Sequence, residues 1–204
     1  MQIQKLKQLL EGPLPGEPAH ELMAPSARFT GTRLPDPAQA RPSSVLILFY
    51  RRNGSWFLPF IQRPVYDGVH SGQISFPGGK YEEEDSDFCA TALRESHEEI
   101  GIVQEDIQVL GALTPLYIPN SNFQVYPQVG WVDYQPEFSP DPTEVDEIIE
   151  VPLEVLLEQE NVKQLTKNIN GVSLSAPYFD AEGRVIWGAT AMILSEMLEV
   201  LRKI

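Results

Sequence analysis

The 204-residue chain is poor in cysteine and in positive charge. It has one cysteine, Cys89, and its 15 Lys and Arg residues face 29 Asp and Glu residues, for a net charge of −14. A single cysteine excludes an intrachain disulfide and is typical of a reducing compartment, so we expect a cytoplasmic protein. The negative charge disfavours nonspecific binding to nucleic acid or to a membrane surface. It does not exclude an anionic small molecule, since a metal ion or a few basic side chains can hold one.

Long apolar runs are also missing. The longest, SVLILFY, is far too short to span a membrane, and the opening MQIQKLKQLL predicts a short amphipathic helix rather than a signal peptide. The hydrophobic content of 42% suffices for one sizeable core, so we expect a single domain over residues 43–204. Residues 1–42 are predicted to form a proline-rich extension packed on that domain, with little regular structure over residues 12–42.

From Ser43 onward, strand and helix signals alternate. SSVLILFY and SWFLPFIQ are β-rich runs joined through RRNG, whose Asn53-Gly54 pair is a strong hairpin signal. A helix is predicted over residues 87–100, more strand-like runs follow it, and the spacing of apolar residues in ATAMILSEMLEVLRKI predicts a C-terminal helix. The mixture favours a layered α/β or α+β fold.

The helix predicted over residues 87–100 carries a cluster of acids. The side that we expect to face the core holds Cys89, Leu93, Ser96 and Ile100. A different face holds three acids at i, i+3 and i+4 spacing, namely Glu95, Glu98 and Glu99. Taken alone, such a run is more often a solvated acidic face.

Three features of the neighbouring sequence favour a cation site over a solvated face. More acids precede the helix within residues 82–87, no Lys or Arg occurs from residue 95 to residue 162, and the glycine-rich segment FPGGK leads into the region. Divalent cations such as Mg²⁺ bind several oxygens, and glycine lets backbone carbonyls approach an ion closely. The sequence therefore predicts a divalent cation among the three glutamates.

The same stretch resembles a known motif. GGKYEEEDSDFCATALRESHEEIGI is similar to the Nudix box, G-x5-E-x7-R-E-U-x-E-E-x-G-U, in which U is apolar. The residues that match its second half are Arg94, Glu95, Glu98, Glu99, Gly101 and Ile102. Ser96 replaces an apolar residue, and the spacing from Gly79 to Arg94 is one residue longer than in the general form. Asp85 occupies the position of the first Glu of the motif, six residues after the glycine.

The segment before the box, QRPVYDGVHSGQISFPGGK, resembles the coenzyme A diphosphatase branch of that superfamily. The matching residues are Arg63, His70, Gly72, Gln73, Phe76, Pro77, Gly78 and Gly79. TEVDEIIEVPLEVLL and VIWGATAMIL also resemble this branch, so the resemblance covers roughly residues 41–200. It implies the Nudix fold, an α/β/α sandwich with a mixed β-sheet between helices. It further implies Mg²⁺- or Mn²⁺-dependent cleavage of coenzyme A or acyl-CoA to 3',5'-ADP and (acyl-)4'-phosphopantetheine.

The resemblance also implies roles for single residues. The expected metal ligands are Glu95, Glu99, Glu98 and the carbonyl of Gly79. The expected catalytic residues are Glu98, Glu144 and Arg94; Arg94 is expected mainly to pair with a carboxylate, and Asp146 and Glu147 are alternatives to Glu144 as the general base. The expected substrate-binding residues are Arg63, His70, Lys80 and Arg28.

Other functions stay open at this point. The expected partner is a small nucleoside diphosphate derivative, but ADP-ribose, NADH or a nucleotide sugar are alternatives to coenzyme A. A catalytically silent nucleotide-binding regulator is a third alternative, which the three retained glutamates disfavour. Dimers are common in the superfamily, so a homodimer is also an expectation.

Overall fold

The computed structural model describes residues 1–27, 34–65, 71–169 and 171–204. The helices in this part of the chain are α1 (Ile3–Leu10), α2 (Glu17–Glu21), α3 (Phe88–Ile100), α4 (Leu153–Leu157) and α5 (Gly188–Leu201). The strands are β1 (Arg41–Arg52), β2 (Ser55–Gln62), β3 (Ile74–Ser75), β4 (Gly78–Lys80), β5 (Gln108–Ala112), β6 (Leu116–Ile118), β7 (Phe123–Trp131), β8 (Glu147–Pro152), β9 (Val162–Ile169), β10 (Val172–Ala181) and β11 (Arg184–Trp187).

Eight strands form one mixed sheet. Its main order is β3-β2-β1-β7-β5, while β4 pairs with β1, β6 with β7 and β8 with β2. Strands β1 and β7 run parallel, in register from Arg41↔Phe123 to Phe49↔Trp131, and the other described pairs are antiparallel. A separate antiparallel sheet has the order β11-β10-β9.

Strand β1 contributes to the core on both faces of the large sheet. Leu46, Leu48 and Tyr50 join the hydrophobic cluster that includes α3, whereas Ile47 and Phe49 join the cluster that includes α5. All five side chains are fully buried, because successive side chains of a strand point to opposite faces and helices cover both. The predicted α/β/α sandwich with a mixed sheet is therefore confirmed.

Several local predictions match the structure. The β1–β2 hairpin turns at Asn53 and Gly54, whose φ angles of 52° and 87° suit the mirror-image turn that fits a right-twisted hairpin. The helices predicted at the start, at residues 87–100 and at the end are α1, α3 and α5. The run IQVLGALTPLYI divides into β5 and β6, and the short strands β3 and β4 lie in a segment where no strand was predicted.

The N-terminal segment has more regular structure than its prolines predict. Helix α2 forms within it, with Pro18 in the first turn, where its missing N–H needs no partner inside the helix. Lys5 Nζ donates to the Ile204 carbonyl at 3.1 Å, which ties α1 to the end of the chain. β1 begins at Arg41, so one strand crosses the predicted boundary between residues 42 and 43, and the division into extension and domain stays a prediction. Among the described helices, none has the length and hydrophobicity needed to cross a membrane.

Candidate active site

Helix α3 begins and ends at defined caps. The Asp87 carboxylate accepts a hydrogen bond from the Ala90 N–H at 2.8 Å, and Gly101 ends the helix in the left-handed conformation with φ of 71°. On this helix Glu98 is exposed, Glu95 is half-buried and Glu99 is only 1% exposed. The three acids therefore differ greatly in their access to water.

The buried side of α3 differs from the prediction. Ser96 and Ile100 are buried as predicted, but Cys89 and Leu93 are only half-buried. Glu99, predicted to lie on a separate acidic face, is buried beside them. Glu99 is buried by a tertiary contact, because β4 packs over this end of the helix. The Gly78 N–H of that strand donates to Glu99 Oε2 at 2.7 Å.

The glycine pair of β4 allows this close packing. Gly78 and Gly79 pair with Val45 and Ser44 of β1, and a Cβ added at Gly78 would lie 2.3 Å from the Ser44 carbonyl oxygen. A Cβ added at Gly79 would lie 2.4 Å from the carboxylate of Glu95. The missing side chains therefore leave the space in which β4 meets β1 on one side and the Glu95 carboxylate on the other.

Arg94 links the acids of α3 to the loop before it. Its Nε and Nη2 donate to the two oxygens of Asp85 at 2.9 and 3.0 Å, and Nη2 also donates to the Lys80 carbonyl at 3.0 Å. Its Nη1 donates to Glu95 at 3.1 Å and to Glu98 at 2.9 Å. The guanidinium thus orients two of the three glutamates, as a rigid fork of donors can do.

Asp85 occupies the position of the early acid in the motif despite the altered spacing. It is 7% exposed, and it also accepts hydrogen bonds from the Glu82 N–H at 3.0 Å and the Thr91 hydroxyl at 2.9 Å. The hydrogen bond from Arg94 is the main reason that the pKa of Asp85 falls to about 2. The loop absorbs the extra residue between Gly79 and Arg94, and the carboxylate still reaches the arginine.

Arg63 stands beside the buried Glu99. Its Nη2 lies 3.6 Å from Glu99 Oε1 and donates to the Gly78 carbonyl at 3.3 Å. Burial raises the pKa of Glu99 to about 7, with help from the charges of Glu95 and Glu144, although the Gly78 N–H and Arg63 oppose the shift. Burial likewise raises the pKa of Glu95. Burial therefore makes the ionised forms of Glu95 and Glu99 unfavourable unless cations lie nearby.

The acids have basic partners that the sequence following them does not show. Arg94 and Arg63 supply those partners, although residues 95–162 hold no Lys or Arg. The absence of basic residues after the helix therefore did not exclude partners that precede the acids in the chain.

The acids line one end of an open cleft of about 640 Å³. Its walls come from β1, β3 and β4, from α3, from β6 and β7 with the turn between them, and from the start of α5. The lining residues include Arg41, Ser43, Val45, Ser75, Ile118, Ser121, Phe123, Val125, Ala189, Thr190 and Ile193.

Most of the predicted site residues meet in this cleft. Besides the three glutamates and Arg94, its lining includes Gly79, Lys80, Arg63 and Glu144. Arg28 and His70 lie outside the described residues. Of the alternatives to Glu144, Glu147 pairs with Arg184 at 2.7 Å, and neither it nor Asp146 is among the residues that line the cleft.

Sequence reasoning missed the end of the cleft opposite the acids. Arg41 and Ser121 line it, together with apolar side chains of β6 and β7. No local signal identifies them, because Arg41 and Ser121 meet only through the parallel pairing of β1 with β7, across about 80 residues of chain. Phe123, whose ring contacts the Arg41 guanidinium, is also at this end.

The donors at the acidic end suit a hard divalent cation. Glu95, Glu98 and Glu99 offer carboxylate oxygens, and Gly79 lies against Glu95 with no side chain to block its carbonyl. Within the described ranges, no three His, Cys, Asp or Glu side chains are already gathered as a metal shell. Arg94 and Arg63 engage the three carboxylates, so an ion would compete with these two arginines for the oxygens. The residue types fit such an ion.

Comparisons with known proteins agree with the motif. The family model described as "NUDIX domain" matches residues 40–169. The chain is 30% identical to the uncharacterized Nudix hydrolase NudL of Yersinia pestis over 177 residues, which cover 82% of this chain and 88% of the relative. It is 34% identical to the mitochondrial Nudix hydrolase 15 of Arabidopsis thaliana over 167 residues, which cover 78% of this chain. That match spans only 58% of the length of the Arabidopsis protein.

A solved structure supports the fold. The crystal structure of the Nudix hydrolase RenU from M. smegmatis superimposes with a TM-score of 0.57, covering 81% of this chain and 88% of that one. The sequence identity is 14%, so this likeness concerns the fold alone.

Proposed function

The chain belongs to the NUDIX domain family, and on this basis we propose that it hydrolyses the diphosphate bond of a nucleoside diphosphate derivative, using Mg²⁺ or Mn²⁺. The observation that carries the proposal is the placement of Glu95 and Glu99. Their carboxylates are half-buried and buried, have raised pKa values, and meet the glycine pair at one end of an open cleft. Buried acids of this kind are costly unless cations compensate them.

We propose coenzyme A or acyl-CoA as the substrate, cleaved to 3',5'-ADP and 4'-phosphopantetheine or its acyl derivative. Support comes from the segment that resembles the coenzyme A diphosphatases. Its residues Arg63, Gln73, Phe76, Gly78 and Gly79 all line the cleft that holds the acids. The cleft volume of about 640 Å³ is within the range that cofactor-sized ligands occupy.

The proposed ligand set is Glu95, Glu98, Glu99 and the Gly79 carbonyl. When bound, the divalent ion supplies charge neutralisation for the diphosphate and acidifies the attacking water. Arg63 and Lys80 lie at the same end of the cleft, where their charges can hold the diphosphate oxygens. Arg94 donates five hydrogen bonds to protein groups, so we assign it a positioning role and no direct part in the chemistry.

We propose Glu144 as the general base rather than Glu98. Glu98 already accepts a hydrogen bond from Arg94, whereas no hydrogen bond to the Glu144 carboxylate exists among the described residues. Glu144 is exposed and lines the cleft facing Glu95 and Glu99. In the proposed step, Glu144 takes a proton from water, the water oxygen bonds to phosphorus, and the bridging P–O bond breaks toward the departing phosphate.

A substrate panel tests this function. The full chain is incubated with Mg²⁺ or Mn²⁺ and with coenzyme A, acetyl-CoA, ADP-ribose or NADH, and the products are separated and identified. We expect the highest kcat/KM with coenzyme A or its thioester, and 3',5'-ADP among the products. Much faster turnover of ADP-ribose or NADH would contradict the coenzyme A assignment. A lack of turnover with every substrate and both metals would contradict catalysis and favour a silent regulator.

A further inference from the structure

The end of the cleft opposite the acids contains a fixed guanidinium. Arg41 begins β1 beside the first residue of β7, Phe123, and its Cζ lies 4.2 Å from the centre of the Phe123 ring. Its Nη2 donates to the carbonyl of Ser121 at 2.9 Å. One stacking contact and one hydrogen bond therefore hold the group at the cleft lining and leave its remaining N–H donors for a ligand.

The charge of Arg41 has no carboxylate partner among the described residues. Five of the seven described arginines form ion pairs with Asp or Glu, and the other two are Arg41 and Arg51. Arg51 stacks on Trp56 and is not among the residues that line the cleft. In a chain of net charge −14, an arginine that lines the cleft without an acidic partner is a candidate for binding an anion.

A buried hydroxyl beside Arg41 also lacks a partner. Ser121 is 7% exposed and lines the cleft, and its Oγ is buried with no hydrogen-bond partner in the described chain. Ser75 of β3 lines the same cleft, and its buried Oγ likewise has no hydrogen-bond partner in the described chain. A buried polar group without a partner is destabilising, and an acceptor atom of a ligand would offset that cost.

The distance between the two ends of the cleft fits a single nucleotide. Arg41, Ser43 and Val45 alternate along β1 and all line the cleft, and Gly79 pairs with Ser44. At about 3.3 Å per residue, Arg41 is about 10 Å along the strand from the glycine that meets the acids. Apolar side chains of β1, β6 and β7 line the space between them and suit a base or a sugar face.

We propose that Arg41 and Ser121 form a subsite for a phosphate monoester on the ribose of the substrate, separate from the diphosphate at the acidic end. This inference rests on the proposed function, since it assigns a second anionic group to the same substrate. The guanidinium supplies charge and N–H donors, and the hydroxyl supplies one more donor. A 3'-phosphate, as in coenzyme A, and a 2'-phosphate, as in NADPH, offer the same chemistry.

Binding measurements test the subsite without turnover. Isothermal titration compares adenosine 3',5'-bisphosphate, adenosine 2',5'-bisphosphate and AMP on the full chain. We expect a bisphosphate to bind at least about tenfold more tightly than AMP, as one or two charge-assisted hydrogen bonds predict. Arg41→Ala should reduce this preference to within about twofold while leaving the affinity for AMP unchanged, and Ser121→Ala should reduce it by a smaller factor.

Arg51→Ala is the matched control, since Arg51 also stacks on an aromatic ring and lacks an ion pair but is not in the cleft lining. It should leave the preference intact. Equal affinity of the wild type for AMP and both bisphosphates, or no measurable binding of any of them, would overturn the subsite. An equal loss for all three ligands in Arg41→Ala would also overturn it, by showing a general structural role.

Hydrolysis of coenzyme A and 3'-dephospho-coenzyme A separates this inference from the proposed function. If the wild type cleaves neither compound but still prefers a bisphosphate, the coenzyme A function is wrong and the subsite stands. If it cleaves both with equal kcat/KM, and Arg41→Ala leaves that ratio unchanged, the function stands and the subsite is wrong. Preference for the 2',5'-bisphosphate would support the subsite and assign it to a 2'-phosphate.

Discussion

Glu99 and Glu144 show what single residues contribute to this site and how far each was predictable. The motif around Glu99 predicts it as a site residue, because the spacing within one helix is a local property. Its burial did not follow, since Gly78 and Arg63 reach it from outside the helix. Glu144 was one of three acids weighed as the base, and only the tertiary structure distinguishes it from Asp146 and Glu147 as part of the cleft lining.

Replacing these two acids separately should separate metal binding from proton transfer. Glu99→Gln should lower kcat/KM by at least about 100-fold and weaken Mn²⁺ binding, because it removes a ligand charge. Glu144→Gln should lower kcat by about 10²- to 10⁴-fold with little change in Mn²⁺ affinity. Steady-state kinetics and electron paramagnetic resonance titration of Mn²⁺ measure the two effects.

Both variants should stay folded, since glutamine keeps the shape of glutamate and its amide oxygen can still accept the Gly78 N–H in the first case. Glu83→Gln is the control, because Glu83 is an exposed acid that does not line the cleft. An unaltered rate in Glu99→Gln, with its melting temperature unchanged, would exclude Glu99 as a ligand.

At the scale of elements, β4 brings the acids and the sheet together. It is three residues long and contains two glycines, so neither periodicity nor strand propensity could predict it. What the sequence did predict was a glycine-rich segment next to the acids. The larger elements around it, α3, α5 and the β1–β2 hairpin, carry strong local signals and were placed correctly.

Alanine at the two glycines of β4 should have different effects. At Gly78, with φ of 147°, the new Cβ would meet the Ser44 carbonyl oxygen at 2.3 Å, so we expect a loss of about 3 kcal/mol or more in the free energy of unfolding. At Gly79 it would meet the end of the Glu95 side chain, which can move. Gly79→Ala should therefore cost less than about 1 kcal/mol in stability but at least about tenfold in kcat/KM.

Gly12→Ala provides the comparison, because its Cβ would make ordinary contacts of 3.6 and 3.8 Å. Chemical denaturation and steady-state kinetics on the three variants give both quantities. Full activity in Gly79→Ala would show that the position of Glu95 against the glycine is not needed for the reaction.

At the scale of the whole molecule, one buried acid joins three distant segments. Glu196 of α5 is 0% exposed and accepts hydrogen bonds from the Gly16 N–H at 2.9 Å and from the Thr114 hydroxyl at 2.7 Å. His20 Nε2 lies 2.9 Å from its second oxygen. The sequence placed Glu196 only as part of a helix, because its partners are 82 to 180 residues away. The fold class was predictable from local pattern and motif; this connection was not.

The Glu196 network should make stability depend on pH. Burial alone would raise the pKa of Glu196, but the hydrogen bonds from His20, Thr114 and the Gly16 N–H outweigh burial and lower it. A lowered pKa in the folded state adds stability above the unfolded pKa of about 4.3, and that stability is lost as the pH falls through the folded value. Glu196→Gln should therefore cost about 3 kcal/mol at pH 7, and the cost should shrink as the pH falls below about 4.

Urea denaturation across this pH range measures the difference. Glu199→Gln is the control on the same helix, since Glu199 pairs with Arg202 near the surface and its loss should cost no more than about 1 kcal/mol. A difference between wild type and Glu196→Gln that stays constant from pH 7 to pH 3 would contradict the role of its charge.

The parallel pairing of β1 with β7 has a consequence for synthesis of the chain. Partners such as Ser44 and Tyr126 are 82 residues apart, so at roughly 5–20 residues per second β1 is synthesised about 4–16 s before β7. During that interval, a strand destined for burial on both faces has no neighbour on one edge. Substitutions that slow the pairing of β7 with β1 should therefore reduce the yield of native protein through aggregation of nascent chains. We expect this loss of yield even where the purified variant melts at the normal temperature.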